Sequence, residues 1–455
     1  MRFDTRRRTT RAVALLLAPA LFMAACGGDD DDSAGGDETA QQGGEVTIWI
    51  MPNGPDPVPD FEELVAPFEE DTGIDVTVEE VGWDVQFDQI RNAATTGEGP
   101  DITQAGTTQV PFFASLGGFV DLTDQASDLE SSYPDGVWTT TQVAGEDGVW
   151  AMPWFTEARA IYYRTDVLEA AGLDPATAFS DWDTFRESLQ TISDTVPGWD
   201  GTQGWPFGSP GSQAFDLVHH LFPIIWSYGG AELNDDDTES TVASDEAVEA
   251  VTFFGQLIRD GLYDPATLEL DGTATENEFK NGSLAVWIGG PWTLASTARA
   301  DDENWVDDAR NNVGIAPMPA GPQGDAFTFV GGSNLMMFDS SDHQDEGWQL
   351  MQYLAQDDVQ LQYAELLGMF PSTESAQQER ASADENQEAF FEAIQQGRTY
   401  DPIPAWGEIE NTYKTHFGNI LDAAAGGGDF NEDTVRSELE AAATEANDLL
   451  AQASG

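Results

Sequence analysis

The chain of 455 residues has a single cysteine, Cys26, and only two lysines, Lys280 and Lys414. One thiol cannot form an internal disulfide, so the stability of the fold has to come from packing. The 17 basic residues are outnumbered by 83 acidic ones. This excludes nucleic acid as a partner, because phosphate binding needs basic patches. The N-terminal apolar stretch, residues 12–25, is shorter than the roughly 20 residues of a spanning helix.

Five arginines precede this apolar stretch, and Ala24 and Ala25 lead directly into Cys26. A basic start, a short apolar core and small residues at the cut are typical of a secretory signal. A cysteine at the cut resembles the lipobox of bacterial lipoproteins, although Met23 stands where leucine is usual. We therefore predict a signal peptide at 1–25, a lipid on Cys26, and an acidic, glycine-rich tether at 26–44 on the outer face of the cell membrane. An ordinary signal peptide with an incidental cysteine is the alternative, and the export route, general secretory or twin-arginine, stays open.

Without residues 1–25, which hold five of the 17 basic and one of the 83 acidic residues, the chain keeps 12 basic and 82 acidic residues, a net charge of −70. The acidic residues are spread through segments that also carry regular apolar patterns. Such a charge repels itself in dilute buffer, whereas molar salt shortens the screening length to about 3 Å. We interpret this as adaptation to high salinity. The alternative is an acidic protein that attracts cationic ligands.

Apolar segments of strand length alternate with helical patterns at the start of the mature chain. Residues 45–50, 74–81 and 101–103 read as strands, and the apolar residues of 61–68 recur at helical spacing. This rhythm predicts a parallel sheet with helices on its faces. Ligands bind such sheets at the carboxyl ends of the strands, which directs attention to four side chains in the following loops: Asn53, Trp83, Asp84 and Gln104.

Motifs for catalysis, phosphate binding or metal binding are missing from the sequence. It has no glycine-rich phosphate loop and no Gly-x-Ser-x-Gly elbow. His219 and His220 are adjacent and cannot share one helix face, so they do not form a zinc motif, although His219 facing a cleft stays open. Residues 235–237 are all aspartate but lack the spacing of a calcium loop. We predict neither a metal nor a cofactor.

Seven segments occur in the order typical of one family. They resemble the extracytoplasmic solute-binding proteins of ABC transporters, in particular the large sugar-binding group that includes the maltose-binding protein. The resemblance covers nearly all of the mature chain. The matching segments are 68–81 with 97–101, 152–163, 181–185, 279–292, 313–319, 329–338 and 367–372.

The resemblance implies an α/β, two-lobed periplasmic-binding-protein-like fold of type II topology, in which each lobe is a mixed sheet flanked by helices and the ligand cleft lies between the lobes. The lobes would be 45–155 plus 331–371 and 156–330 plus 372–455, with crossings at 153–159 and 329–332. The implied function is non-enzymatic. A monomer would capture a disaccharide or oligosaccharide, an α-glucoside by resemblance alone, and deliver it to an ABC permease. A non-sugar solute and a glycoside hydrolase are the alternatives.

Sugar recognition needs aromatic rings for the apolar face of the ligand and directed polar groups for its hydroxyls. Trp292 follows a Gly-Gly-Pro turn, and the resemblance implies that it packs on a sugar ring; a core tryptophan is the alternative. Glu157 and Arg159 are charges in an otherwise apolar crossing, where they either pair with each other or bind hydroxyls. The further candidates are Trp154, Gly332, Ser333 and Asn334 near the crossings, and Trp226, Phe370 and Trp406 as aromatic walls, for each of which a place in the core is the favoured alternative.

The charge analysis generates a test. If salt screening holds the acidic chain together, the mature protein loses structure at low salt. Thermal unfolding in dilute and in molar KCl measures this. A melting temperature that is the same in both would contradict the salinity interpretation.

Overall fold

The computed structural model describes residues 43–453 apart from 55, 213, 299–301, 384 and 427. The predicted signal peptide, Cys26 with its lipid, and nearly all of the predicted tether lie outside the described residues. The first strand already begins at Gly44.

The described residues form two mixed β-sheets covered by helices. The strands are β1 Gly44–Ile50, β2 Ile74–Glu80, β3 Ile102–Gly106, β4 Met152–Ala158, β5 Ala160–Arg164, β6 Trp205–Gly208, β7 Leu284–Gly289, β8 Val313–Ala316, β9 Val330–Met337 and β10 Phe370–Pro371. The α-helices are α1 Pro57–Thr72, α2 Gln86–Thr96, α3 Val110–Ser115, α4 Thr123–Ala126, α5 Asp135–Thr139, α6 Thr165–Ala171, α7 Pro175–Ala178, α8 Trp182–Thr195, α9 Asp216–Ser227, α10 Asp245–Arg259, α11 Gly272–Lys280, α12 Pro291–Ala298, α13 Asp307–Arg310, α14 Gln344–Leu354, α15 Asp357–Leu367, α16 Glu374–Ala381, α17 Glu385–Gln396, α18 Trp406–Ala425 and α19 Glu432–Ala453. Short 3₁₀ helices span Thr107–Gln109, Ser127–Ser132 and Pro265–Glu269.

The first sheet has the strand order β10-β4-β9-β3-β1-β2, and the second has the order β6-β7-β5-β8. In the first, β1 pairs in parallel with β2 and β3, whereas β9 is antiparallel to both β3 and β4. In the second, β6 is parallel to β7, and β5 is antiparallel to β7 and β8. We call the structure around each sheet the first lobe and the second lobe.

The β1–α1–β2 unit shows how the sequence pattern produces the fold. In β1 the alternate residues Val46, Ile48 and Ile50 are buried, as expected for a strand with one face on the core. Helix α1 buries the four apolar residues predicted from their spacing, and it ends at Gly73, whose φ of 73° suits the left-handed C-cap.

The chain passes from one lobe to the other between β4 and β5, and again between β8 and β9. Strand β4 belongs to the first sheet and β5 to the second, and Arg159 is the single residue between them. The chain returns to the first sheet between β8 and β9. Helices α18 and α19 then pack with α9 and α10 on the second lobe. Both crossings therefore run between the two sheets.

Gly332 in β9 lies where the two crossings come together, and its conformation requires glycine. Its φ is 136°, and a Cβ atom would overlap the carbonyl oxygen of Phe155 and lie 2.7 Å from the Cα atom of Thr156. Both neighbouring atoms are backbone, so neither can move aside cheaply.

We expect Gly332→Ala to lower the free energy of unfolding by about 2–4 kcal/mol, because a positive φ and an overpacked backbone contact each cost about 1–3 kcal/mol. Denaturant unfolding in molar salt measures the loss. Gly136→Ala is the matched control, since a Cβ atom there meets nothing within 4 Å. Equal stability of the two variants would show that the β4–β9 contact is not as tight as described.

Candidate functional site

A cavity of about 300 Å³ lies between the two lobes, at the crossings. Both lobes contribute aromatic and polar side chains to its wall. Residues that line it include Asn53, Trp83, Thr107, Thr108, Phe155, Gly332 and Ser333 from the first lobe, and Glu157, Arg159, Phe215, Asp216, His219, His220, Glu276, Lys280, Trp287, Trp292 and Phe329 from the crossings and the second lobe.

Arg159 is the central charge of the cavity and is only 3 % exposed. Its guanidinium donates to the carboxylates of Glu157 and Asp216, the latter at 2.5 Å. Its backbone N–H donates to Thr328 Oγ1 at 3.1 Å, which ties the first crossing to the second. Of the two alternatives that the sequence left open for Glu157 and Arg159, the mutual salt bridge is present, and both residues also line the cavity.

Burial raises the pKa of Glu157 to about 7; Arg159 opposes the shift and Asp216 adds to it. Near neutral pH this carboxyl therefore exists in both protonation states. Its environment contains more carboxylate than a single guanidinium neutralises.

Trp292 is at the start of α12 and lies in the cavity wall. The Arg159 guanidinium carbon lies 4.6 Å from its ring centroid, within the range of a cation–π contact. The indole also packs against the apolar core of the first lobe, so this second-lobe residue bridges the cleft. Contact between Trp292 and a ligand stays a prediction.

Gln104 is fully buried and does not line the cavity. Its side-chain oxygen accepts from Asn53 Nδ2 at 3.0 Å, and its side-chain nitrogen donates to Ser333 Oγ at 2.9 Å. Asn53 and Ser333 do line the cavity. Gln104, predicted to touch ligand, therefore positions two wall residues from the layer behind them.

Aromatic rings from the two lobes meet on one side of the cavity. Trp83 of the first lobe stacks on Phe215 of the second, with ring centroids 6.1 Å apart. Beside them, the His219 ring stacks on Phe329 at 3.9 Å. Burial, and then Arg159 and His220, hold the pKa of His219 well below its usual value, so this ring is neutral at physiological pH.

Besides Gln104, six predicted site residues do not line the cavity. Trp154 is 1 % exposed and stacks on Tyr363 in the first-lobe core at 4.7 Å. Its neighbour Phe155 faces the cavity instead, because successive strand side chains alternate and the β4 register shifts between residues 153 and 155. Three of the other five lie in the apolar cores: Trp226, Phe370 and Trp406. Asn334 donates a hydrogen bond to Thr140, and Asp84 lies on the exposed surface.

Lys280 was not predicted as a site residue, yet it is buried in the wall at the end of α11. Its ammonium lies 3.2 Å from a carboxylate oxygen of Glu276 and 3.2 Å from one of Asp302. Burial alone would lower the pKa of Lys280, but the two carboxylates raise it above its usual value. The signal in the sequence that could have drawn attention to Lys280 is that lysine is so scarce in this chain.

Glu410 of α18 is a second buried carboxyl, located behind His219. It is 1 % exposed and accepts a hydrogen bond at 3.2 Å from Thr108 Oγ1 of the first lobe. Its nearest oxygen to His219 Nε2 is 3.8 Å away. Burial raises the pKa of Glu410 to about 8, although Thr108 and other donors oppose the shift. A neutral carboxylic acid therefore joins the lobes here at pH 7.

Within the part of the chain that the structure describes, no helix is both long and apolar enough to cross a membrane. In the same residues, no group of histidine, cysteine, aspartate and glutamate side chains is arranged to hold a metal ion.

Two α/β lobes joined by crossing strands, with a polar and aromatic cavity at the crossings, define a solute-binding protein. Residues 63–392 match the bacterial extracellular solute-binding protein family, and the chain belongs to that family. Members of this family bind solutes and are not enzymes.

The relatives cover most of the chain. A putative binding protein of Brucella abortus is 26% identical over 374 residues, which are 82% of this chain and 87% of the relative. The diacetylchitobiose-binding protein of Streptomyces coelicolor is 27% identical over 372 residues, 81% of this chain and 82% of the relative.

Solved structures confirm the predicted fold. The maltose-bound MalE3 of T. maritima aligns with a TM-score of 0.77 at 21% identity and covers 89% of this chain and 100% of its own. A solute-binding protein of Thermotoga lettingae, bound with alpha-D-tagatose, aligns with a TM-score of 0.78 at 23% identity and covers 89% and 99%.

The raised pKa values of Glu157 and Glu410 generate a prediction on stability. A carboxyl that is protonated in the folded chain but ionised in the unfolded chain makes unfolding release a proton. The free energy of unfolding therefore falls as pH rises from about 4.5 to 8, by up to about 1.4 kcal/mol per pH unit for each group.

We expect Glu410→Gln to remove about 2 kcal/mol of the stability difference between pH 5.5 and 7.5, since the amide cannot ionise. Denaturant unfolding at both pH values in molar KCl measures it. Glu440→Gln, an exposed position on α19, is the control and should keep the original pH dependence. A Glu410→Gln profile identical to that of the control would contradict the buried, protonated carboxyl.

Proposed function

We propose that this protein captures a sugar in the interlobe cavity and delivers it to the permease of an ABC transporter, while a lipid on Cys26 anchors it to the outer face of the membrane. The observation that carries the sugar is the wall itself. It combines half-buried indole rings with buried, hydrogen-bonded polar groups in one cavity shared by both lobes. Two relatives, a diacetylchitobiose-binding protein of Streptomyces coelicolor and a maltodextrin-binding protein of Bacillus subtilis, support the same class of ligand.

The chemistry of the wall suits a saccharide. Trp83 and Trp292 offer flat apolar surfaces for the C–H face of a sugar ring. Asn53 and Ser333 offer donors and acceptors that Gln104 holds in fixed directions. Asp216 and Glu157 accept hydrogen bonds from hydroxyls, and charged acceptors make the stronger bonds.

The size of the cavity favours a small saccharide. Its volume of about 300 Å³ lies at the lower end of the roughly 300–1,000 Å³ typical of ligand pockets. This supports a disaccharide over a long oligosaccharide. The α-glucoside remains the finer proposal, supported by the maltose-bound structural relative.

Ligand capture would act through the contacts between lobes. Trp83 stacks on Phe215 across the cleft, and Trp292 packs on the first-lobe core. A sugar that touches both lobes stabilises the arrangement in which these contacts exist, and so shifts the population of lobe arrangements towards it. The permease would recognise that arrangement.

We expect isothermal titration in molar salt to show stoichiometric binding of one class among mono- and disaccharides. Trp292→Ala should weaken binding at least about 30-fold, the loss typical of a buried aromatic anchor. Trp348→Ala, a partly buried tryptophan of α14 outside the cavity, is the control and should retain affinity. Silence of the folded protein towards every sugar would overturn the sugar proposal, and slow heat release with product formation would indicate a hydrolase.

A further inference from the structure

Among the described residues, two cations, Arg159 and Lys280, line the cavity wall, and each is held by two carboxylates. Arg159 pairs with Glu157 and Asp216. Lys280 pairs with Glu276 and Asp302. We call these the arginine cluster and the lysine cluster.

With all groups ionised, the named residues of each cluster carry one positive and two negative charges. The Arg310 guanidinium donates to the backbone carbonyl of Asp302 at 2.6 Å beside the lysine cluster, and protonation of Glu157 makes the arginine cluster neutral. Even with these two contributions counted, neither cluster has a net positive charge to offer an anion. The side chains of the lysine cluster are 8 %, 9 % and 0 % exposed for Lys280, Glu276 and Asp302. Because they are buried, their charges are screened by salt far less than those of the protein surface.

The arginine cluster already resists further negative charge. Burial and the neighbouring Asp216 favour the protonated form of Glu157 even though Arg159 is its direct partner. The Trp292 ring covers one face of the guanidinium, and the Nε–H is buried without a hydrogen-bond partner. An incoming anion would therefore meet an arginine whose charge two carboxylates already share and whose remaining donor is out of its reach.

Proteins recognise carboxylates and phosphates by arginine forks or lysine ammonium groups that are free to pair with them. An anion buried without such a partner carries a large desolvation penalty. Hydroxyl and ammonium groups differ, because both donate hydrogen bonds to the carboxyl groups of the two clusters.

We propose that this site selects its sugar by charge, accepting neutral and amine-bearing saccharides and rejecting those that carry a carboxylate, sulfate or phosphate. The inference rests on the proposed sugar-binding function and narrows its substrate class. Four carboxylates shared between two buried cations act as the selectivity filter.

The test compares sugars that share a ring but differ in charge. Glucose, glucosamine and glucuronate form one set, galactose, galactosamine and galacturonate a second, and maltose is added as a neutral disaccharide. Each is titrated into the full chain in mild detergent and molar KCl at pH 6. We expect at least one neutral or amino sugar to bind and both uronates to bind on the order of 100-fold more weakly or not at all.

Variants that remove one carboxylate from a cluster test the cause. In Asp216→Asn and in Glu276→Gln, the ratio of neutral-sugar to uronate affinity should fall about tenfold, the effect of one charge at short range in a partly screened site. The ratio is measured within each variant, so a general loss of affinity does not affect it, and the second variant serves if the first does not fold. Asp166→Asn is the control, because Asp166 pairs with buried Arg164 at 2.7 Å outside the cavity.

The outcomes separate the two proposals. A uronate that binds as tightly as its neutral partner would overturn charge selection and leave sugar binding intact. A ratio that falls equally in Asp166→Asn would also overturn it, because the filter would then not be the two clusters. Silence towards all seven sugars would overturn the proposed function and this inference with it.

Discussion

The buried ion pair at Arg159 is the interaction on which the site depends. This residue is the single link between the two sheets in the first crossing, and its charge is neutralised there by Glu157 and by Asp216 of α9. Removing one partner from a buried pair costs about 3–5 kcal/mol, because it leaves an uncompensated charge. The same guanidinium fixes one face of Trp292. The connection of the lobes and the shape of the cavity therefore share one set of contacts.

The second crossing is joined to the contacts of Arg159 through the backbone of that residue. Thr328 accepts the Arg159 N–H, and its own hydroxyl donates to the Arg159 carbonyl at 2.7 Å. Gly332 then lets β9 approach β4 closely enough to pair with it. Gln104 extends the arrangement into the first lobe by holding Asn53 and Ser333. A wall built from both lobes is thus supported by a continuous network of hydrogen bonds.

Sequence patterns predicted strands and helices because these depend on periodicity, as at α1. The two lobes and the crossings between them were predicted from the family resemblance, since no local pattern marks a change of sheet. The sequence patterns predicted the cavity wall less well. Trp154 and Phe155 differ by one position, and only the register of β4 decides which of them faces the ligand site. Phe215, just before α9, and Lys280, at the end of α11, reach the wall from segments far apart in sequence, so no local motif marks them. Three predicted aromatic walls lie in the cores, where aromatic residues are equally at home.

Because basic residues are scarce in this chain, the positions of the few that it has are informative. After residue 25 the chain has only 12 basic residues against 82 acidic ones. Two of them, Arg159 and Lys280, are nevertheless buried in the cavity wall, and Arg91 pairs with Glu408 between α2 and α18 at 3.1 Å. Exposed acidic residues repel each other with a strength that salt controls, whereas buried pairs are largely insulated from it. The stability of the whole chain should therefore vary with salinity while the geometry of the cavity does not.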